Sequence, residues 1–121
     1  MKRKILVVDD NGPNRVIPGL ILRPFGFLVF ETTKGEEAVE VLRNMSVDVV
    51  LLDMHLPDFH GTEVFRQIRV LLALKEVKVI AHTTIDSDEA YLSLSSHGFD
   101  AILPKPCKSS ELIDCVRTLL V

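Results

Sequence analysis

The feature of this sequence that most constrains its fold is a regular alternation of short apolar runs with longer segments of helical spacing. Two of the runs, Ile5–Val8 and Val49–Leu52, are apolar at every position, as expected for strands that are covered on both faces. Repeats of a strand followed by a helix predict a parallel sheet with helices on both sides. The complete set of runs is Ile5–Val8, Leu28–Phe30, Val47–Leu52, Val77–Ala81 and Ala101–Leu103.

This pattern predicts an α/β domain built on a doubly wound, five-stranded parallel sheet. Such sheets commonly take the strand order 2-1-3-4-5 of the flavodoxin-like fold, in which strands 1 and 3 are neighbours. Ligands bind at the carboxyl ends of the strands, close to the point where the strand order reverses. The residues that follow each strand are therefore the first candidates for function.

Length and composition limit the classes of function. The chain has 121 residues, the size of one domain covering residues 1–121, and 47% of them are hydrophobic, enough for a folded core. A formal net charge of −3 argues against a basic surface for nucleic acid, and no apolar run reaches the roughly 18 residues of a membrane helix. We expect a cytoplasmic domain, monomeric or weakly dimeric, without membrane or direct nucleic-acid contact. Cys107 and Cys115 do not form a CxxC pair and are expected to be free thiols.

The helical segments carry recognisable start and stop signals. The motif Thr33-x-x-Glu36 predicts a capping box before the second helix, and Asp86-x-x-Glu89 predicts a cap for the fourth. Gly98 is expected to end that fourth helix. A third helix is predicted over roughly Gly61–Leu74, because its apolar residues recur at helical spacing.

The first helix is expected to be distorted. Pro13 suits its first turn, but Pro18 falls inside it and Pro24 near its end. An interior proline costs about 3 kcal/mol or kinks the helix. The helix is predicted to pack on the sheet through its apolar residues, which are Val16, Ile17, Leu20, Ile21 and Phe25.

Polar residues follow the predicted strands where a ligand would bind. Strand 1 ends in Asp9 and Asp10, strand 3 in Asp53, strand 4 in Thr83 and strand 5 in Lys105. The expected strand order brings all of them to one edge of the sheet. Carboxylates crowded into one crevice repel one another, so a compensating cation is expected there.

An oxygen-only site of this kind predicts Mg²⁺, Mn²⁺ or Ca²⁺, and the lack of a His/Cys ligand set argues against zinc. Mg²⁺ typically takes one or two carboxylates, keeps several waters and shares a phosphate oxygen. Asp9 and Asp10 are adjacent and suited to be ligands, with Asp53 facing them. The backbone carbonyl of His55 is a candidate for a further oxygen ligand.

The same residues suit the transfer of a phosphoryl group. A carboxylate such as that of Asp53 can act as nucleophile and form an aspartyl-phosphate. Lys105 offers a mobile positive charge for a phosphate oxygen, and Thr83 offers a hydroxyl donor. Phosphoryl transfer asks mainly for positioning and charge neutralisation, which a cation and a lysine on opposite sides would supply.

These motifs together resemble those of response-regulator receiver domains, the phosphoacceptors of two-component signalling. The resemblance is carried by Val7–Asn11, Leu51–Pro57, Gly61, Thr83 and Lys105–Pro106, and it extends over the whole chain. Asp10-Asn11-x-x-Asn14-Arg15 is in addition similar to the receivers of hybrid histidine kinases.

The resemblance implies a role for each site residue. Asp53 would be phosphorylated, Asp9 and Asp10 would hold Mg²⁺, and Thr83 and Lys105 would contact the phosphoryl group. The donor would be a histidine kinase or a histidine phosphotransfer protein. The domain would catalyse its own phosphorylation and then switch or relay the signal, without being an enzyme in the ordinary sense. The resemblance also implies a cis peptide bond between Lys105 and Pro106.

Four residues depart from the family pattern. Ile102 stands where an aromatic residue is usual, so we expect a muted change on the face of helix 4, strand 5 and helix 5, with phosphorylation mainly drawing Thr83 inward. Thr84 replaces a smaller residue and is expected to narrow access to the phosphoryl group. His60 is interpreted as a turn residue and His82 as a hydrogen-bonded structural histidine.

Two other functions fit the same fold. A small phosphatase with Asp53 as nucleophile would need an acid for the leaving group, and His55 and Asp58 are the nearby candidates. A flavodoxin-like cofactor protein would need a phosphate-binding loop after strand 1, where Asp9 and Asp10 would instead repel a phosphate. Formation of a stable aspartyl-phosphate, as against steady turnover, would separate a receiver from a phosphatase.

Overall fold

The computed structural model describes residues 2–71 and 76–121 and shows a single parallel sheet flanked by helices. Its strands lie in the order β2-β1-β3-β4-β5, which confirms the predicted topology. The strands are β1 (Lys4–Val8), β2 (Leu28–Thr32), β3 (Val49–Leu52), β4 (Lys78–Ala81) and β5 (Ala101–Ile102). The helices are α1 (Gly12–Leu22), α2 (Gly35–Asn44), α3 (Gly61–Leu71), α4 (Asp88–Ser95) and α5 (Ser109–Leu119). The predicted end of the third helix, residues 72–74, lies outside the described residues.

The hydrophobic core consists of two layers, one on each face of the sheet. Successive side chains of a strand point to opposite faces, so β1 contributes Leu6 and Val8 to one layer and Ile5 and Val7 to the other. The first layer is completed by α2 and α3, and the second by Leu22 of α1 and by α5. Covering both faces explains why β1 and β3 are apolar at every position.

Helix α1 differs from its prediction in the face that it buries. It runs without a break through Pro18 and tightens into a 3-10 turn over Arg23–Phe25. Pro18, Gly19 and Leu22 are buried and Ile21 is half-buried, with Leu22 in the core layer and Gly19 beside the Arg23 side chain. The other apolar residues that were predicted to pack the helix are exposed on its outer face, so that prediction is wrong for them. These residues are Val16, Ile17, Leu20 and, just beyond the helix, Phe25.

The starts of α2 and α4 also differ from the predicted caps. At α2 the Glu37 carboxylate, and not that of Glu36, accepts hydrogen bonds from the N–H groups of Thr33 and Lys34. At α4 the cap is Ser87, whose hydroxyl accepts from the Ala90 N–H at 3.1 Å. Each predicted cap was displaced by one residue, since several neighbouring side chains offer a suitable oxygen.

Candidate functional site

The carboxyl edge of the sheet brings together the residues that the sequence singled out. Backbone hydrogen bonds continue the ladders past the strand ends: Asp53 N–H donates to the Val8 carbonyl at 3.0 Å, and Lys105 N–H donates to the Thr83 carbonyl at 2.9 Å. Asp9 N–H is held in the same way by the Thr32 carbonyl at 3.1 Å. The backbone positions of these residues are therefore set by the sheet and not by free loops.

Three carboxylates form the centre of the site. Asp9, Asp10 and Asp53 each place one oxygen so that all three oxygens lie within 4.8 Å of one another. Asp9 is only 2% exposed and Asp53 only 7%, whereas Asp10 lies at the surface. Like charges this close and this buried need a compensating positive charge.

The positive charge that the structure supplies is the ammonium group of Lys105. It contacts Asp9 Oδ2 and lies 3.6 Å from Asp53 Oδ2. One ammonium group against three carboxylates leaves the cluster negatively charged. The atoms that the cluster offers to a metal ion are carboxylate oxygens. Oxygen ligands of this kind fit a hard divalent cation such as Mg²⁺, which Asp9, Asp10 and Asp53 would bind. The peptide bond that follows Lys105 is cis, as the resemblance implied.

Thr83 lies on the other side of the Asp53 carboxylate. Its hydroxyl is buried and donates a hydrogen bond to Asp53 Oδ1 at 2.8 Å. Asp53 Oδ1 also accepts from the His55 N–H at 3.3 Å. The expectation that phosphorylation draws Thr83 inward therefore needs revision, because the hydroxyl already reaches the carboxylate. The adjacent Thr84 is exposed and pairs with Lys105 at the rim of the site.

Asp58 proves to be a helix cap. Its two carboxylate oxygens accept hydrogen bonds from the N–H groups of Gly35 and Glu36, both at 2.9 Å, at the start of α2. Burial alone would raise the pKa of the Asp58 carboxyl, but the donated backbone hydrogen bonds hold it below its usual value. An ionised carboxylate that is occupied in this way is poorly suited to protonate a leaving group.

The histidines near the site differ in environment. The exposed His55 ring meets His60 edge-on, with 6.1 Å between ring centroids, and the turn role of His60 is supported by the 2.8 Å contact between its Nδ1 and Thr62 Oγ1. His82 is buried, and its Nδ1 lies 2.7 Å from the Leu103 carbonyl oxygen, as expected for a structural histidine. Burial, followed by the charge of Lys105, holds the pKa of His82 below its ordinary value, although the Leu103 carbonyl opposes the shift.

Arg15 was not singled out for a contact with the site, yet it reaches the backbone beside it. Its Nη1 donates to the Asp9 carbonyl at 3.3 Å, and its Nε donates to Glu31 Oε1 at 3.3 Å. The signal available in the sequence was its position one turn after Asn11, whose side chain accepts from the Asn14 N–H at 3.0 Å and caps α1. Arg15 thus joins α1, β2 and the loop that carries the acidic pair.

The two cysteines are free thiols, as predicted. Burial raises the pKa of both the Cys107 and the Cys115 thiol. Neither thiol is therefore set up as a reactive thiolate.

Comparisons with known proteins agree on one family. The family model described as "Response regulator receiver domain" matches residues 5–117. The DNA-binding response regulator MtrA of Mycobacterium tuberculosis is 35% identical over 120 residues, which cover 99% of this chain and 51% of that protein. The sensor kinase/phosphatase CqsS of Vibrio cholerae is 28% identical over 116 residues, 95% of this chain and 17% of its own length.

The solved structures give the same result for the fold. The BeF3-activated receiver domain of DrrB superposes with a TM-score of 0.87 at 31% identity, covering 99% of this chain and 98% of that one. The chain thus spans about half the length of MtrA but nearly all of an isolated receiver domain. None of the helices within residues 2–71 and 76–121 is long and apolar enough to cross a membrane.

Proposed function

The chain belongs to the family of response-regulator receiver domains of two-component signalling, and from that membership we propose that Asp53 is its phosphoacceptor. The observation that carries the proposal is that the two oxygens of the Asp53 carboxylate have different partners. Thr83 donates to Oδ1 at 2.8 Å, whereas the Lys105 ammonium lies 3.6 Å from Oδ2. A hydroxyl donor and a cation therefore contact opposite oxygens of the Asp53 carboxylate.

In the proposed reaction a carboxylate oxygen of Asp53 attacks the phosphorus of a phosphohistidine. A P–O bond forms, the P–N bond breaks, and its electron pair remains on the imidazole of the donor. Lys105 then stabilises the negative charge that gathers on the phosphoryl oxygens, and Thr83 donates to one of them. The buried setting of Asp53 strengthens both interactions, because the local dielectric is lower than that of water.

The acidic cluster completes the proposed site. Asp9, Asp10 and Asp53 would hold Mg²⁺, with the His55 carbonyl as a further ligand, and bound Mg²⁺ supplies charge neutralisation for the transferred group. Without it, an incoming phosphoryl group would face three carboxylates and a single lysine. Arg15 supports the cluster by holding the Asp9 backbone.

The proposed donor is a histidine kinase or a histidine phosphotransfer protein that docks on α1. The outer face of α1 is apolar and exposed, and it continues into a cavity of about 340 Å³ that Ile17 and Ile21 share with Thr84 and Lys105 at the rim of the site. A protein seated on this face would bring its phosphohistidine to the opening above Asp53. Leu20, which is 65% exposed, lies on this face.

A phosphatase on the same fold is less well supported. Of the two acids that it could have used, Asp58 is committed to capping α2. The remaining candidate, His55, contacts Asp53 Oδ1 only through its backbone N–H, and its exposed imidazole lies against the His60 ring. A phosphoacceptor that holds or passes on its phosphoryl group requires no such acid.

The test is incubation with Mg²⁺ and phosphoramidate, followed by intact mass and peptide mapping. One phosphoryl group on Asp53, dependent on Mg²⁺ and absent from Asp53→Asn, is the expected result. Asp58→Asn is a matched control at a neighbouring carboxylate and should still be phosphorylated. Steady hydrolysis of the donor without accumulation of phosphoprotein would instead identify a phosphatase.

A further inference from the structure

His82 makes a side-chain hydrogen bond that has no part in the proposed chemistry of Asp53. It is 9% exposed, and its Nδ1 lies 2.7 Å from the carbonyl oxygen of Leu103. A carbonyl oxygen can only accept, so Nδ1 is the donor and carries the proton. Burial and the lowered pKa agree with a neutral imidazole whose Nε2 holds the lone pair.

The carbonyl that His82 holds belongs to the segment that delivers Lys105. Strand β5 ends at Ile102, Leu103 and Pro104 follow without regular structure, and Lys105 forms an isolated bridge to Thr84. Pro104 has no N–H to donate. Backbone hydrogen bonds from Leu103 to the Ala81 carbonyl and from Lys105 to the Thr83 carbonyl fix the two ends of the segment, at 2.8 and 2.9 Å.

The Leu103–Pro104 peptide between those ends is held by the His82 side chain. The Lys105 side chain is long and flexible, so where its ammonium lies depends on how firmly this backbone is held. An aliphatic residue in place of His82 would fill the space and leave the Leu103 carbonyl without this donor.

We propose that His82 is a positioning residue for Lys105, acting through its hydrogen bond to the Leu103 carbonyl. The inference rests on the proposed function, because phosphoryl transfer to Asp53 is the reaction that Lys105 would serve. Loss of the bond would let the Lys105 ammonium drift from Asp53 while leaving Asp9, Asp10 and Asp53 in place. The expected signature is a slower transfer without loss of affinity for Mg²⁺, because the Lys105 ammonium competes with the cation for Asp9 and Asp53.

The test compares His82→Leu with His82→Asn. The side-chain nitrogen of asparagine is bonded to Cγ, as Nδ1 is in histidine, so His82→Asn keeps a donor toward the carbonyl. We expect His82→Leu to slow phosphorylation by phosphoramidate about tenfold, the size of one lost hydrogen bond, and His82→Asn to stay within about twofold of wild type. Equal loss in both variants, or none in His82→Leu, would overturn the proposal.

A double-mutant cycle shows whether His82 acts through Lys105. If it does, His82→Leu has no further effect on the rate once Lys105→Ala is in place; if the two losses multiply, the proposal is wrong. Two measurements do not depend on phosphoryl transfer. NMR of the wild-type imidazole should find the proton on Nδ1, and a proton on Nε2 alone would contradict the proposal. The Nζ resonance of Lys105 should shift in His82→Leu but not in His82→Asn, even if Asp53 proves not to be the phosphoacceptor.

Discussion

The hydroxyl of Thr83 donates to Asp53 Oδ1 at 2.8 Å before any phosphoryl group is bound. The bond joins the ends of β3 and β4 across the sheet, and the proposed phosphorylation would exchange it for one to a phosphoryl oxygen. We therefore expect only a short movement of Thr83 and a modest change in the loop 84–88 that follows it.

Replacing Thr83 tests this exchange. Thr83→Val keeps the shape but lacks the hydroxyl, so the amide shifts that beryllofluoride induces in residues 84–88 should shrink strongly. Thr83→Ser keeps the donor and should respond as wild type does. The measurement is a pair of NMR spectra with and without the phosphate mimic; an undiminished response in Thr83→Val would show that the hydroxyl is not the link.

Asp53→Asn should remain folded and lose phosphate acceptance. The substitution removes one of three crowded charges, so the free energy of unfolding should be equal or higher by about 1 kcal/mol. Chemical denaturation without Mg²⁺ measures the difference. A clearly less stable variant would mean that the hydrogen bonds to the carboxylate outweigh the repulsion.

Mg²⁺ should stabilise the wild-type domain by binding the native acidic cluster. Its effect on Tm should fall sharply in Asp10→Asn, which removes an exposed member of the cluster without disturbing a buried one. Asp88→Asn, an exposed acid at the start of α4, is the matched control and should keep the full effect. Equal Mg²⁺ effects in both variants would place the cation elsewhere.

The buried His82 should make stability depend on pH. Its pKa in the folded state is below the ordinary histidine value of 6.5, so the unfolded chain binds the proton more readily. Its contribution is present above about pH 6.5 and is lost as the pH falls from there toward the folded pKa. The free energy of unfolding between about pH 7.5 and 5.5 should fall less steeply in His82→Asn than in wild type. Identical slopes would rule out this contribution.

Two exposed leucines test the proposed docking face. Leu20 on α1 and Leu92 on α4 are both 65% exposed. Leu20→Glu should slow phosphorylation by a cognate phosphohistidine protein by about tenfold or more, as for loss of an interface anchor. Leu92→Glu should not, and both variants should react with phosphoramidate at the wild-type rate. If Leu92→Glu alone slows transfer from the protein donor, docking takes place on α4.

Much of the site could be predicted because it depends on the ends of strands. Once the strand order is known, Asp9, Asp53 and Lys105 must share one edge, and their identities indicate the chemistry. The face formed by α4, β5 and α5 is harder to predict from the sequence. Ile102, in place of the usual aromatic residue, is half-buried and packs on the core layer under α2 and α3. Whether this mutes the switch stays a prediction.

What could not be predicted depends on contacts between distant side chains and backbone. Asp58 caps α2 from more than 20 residues away, and His82 reaches the Leu103 carbonyl 21 residues later. Neither contact leaves a periodic mark in the sequence. The predicted packing face of α1 is wrong because the buried residues of this helix are Pro18, Gly19 and Leu22 and not its other large apolar residues.

The contacts of Asp53 also make its two oxygens inequivalent. A free aspartate carboxylate rotates about its Cβ–Cγ bond, so either oxygen can react. Here Oδ1 accepts from Thr83 and from the His55 backbone N–H, and Oδ2 faces Lys105, so rotation about this bond is restricted. For the proposed nucleophile, the entropic cost of fixing this torsion is then met on folding and not on the way to the transition state.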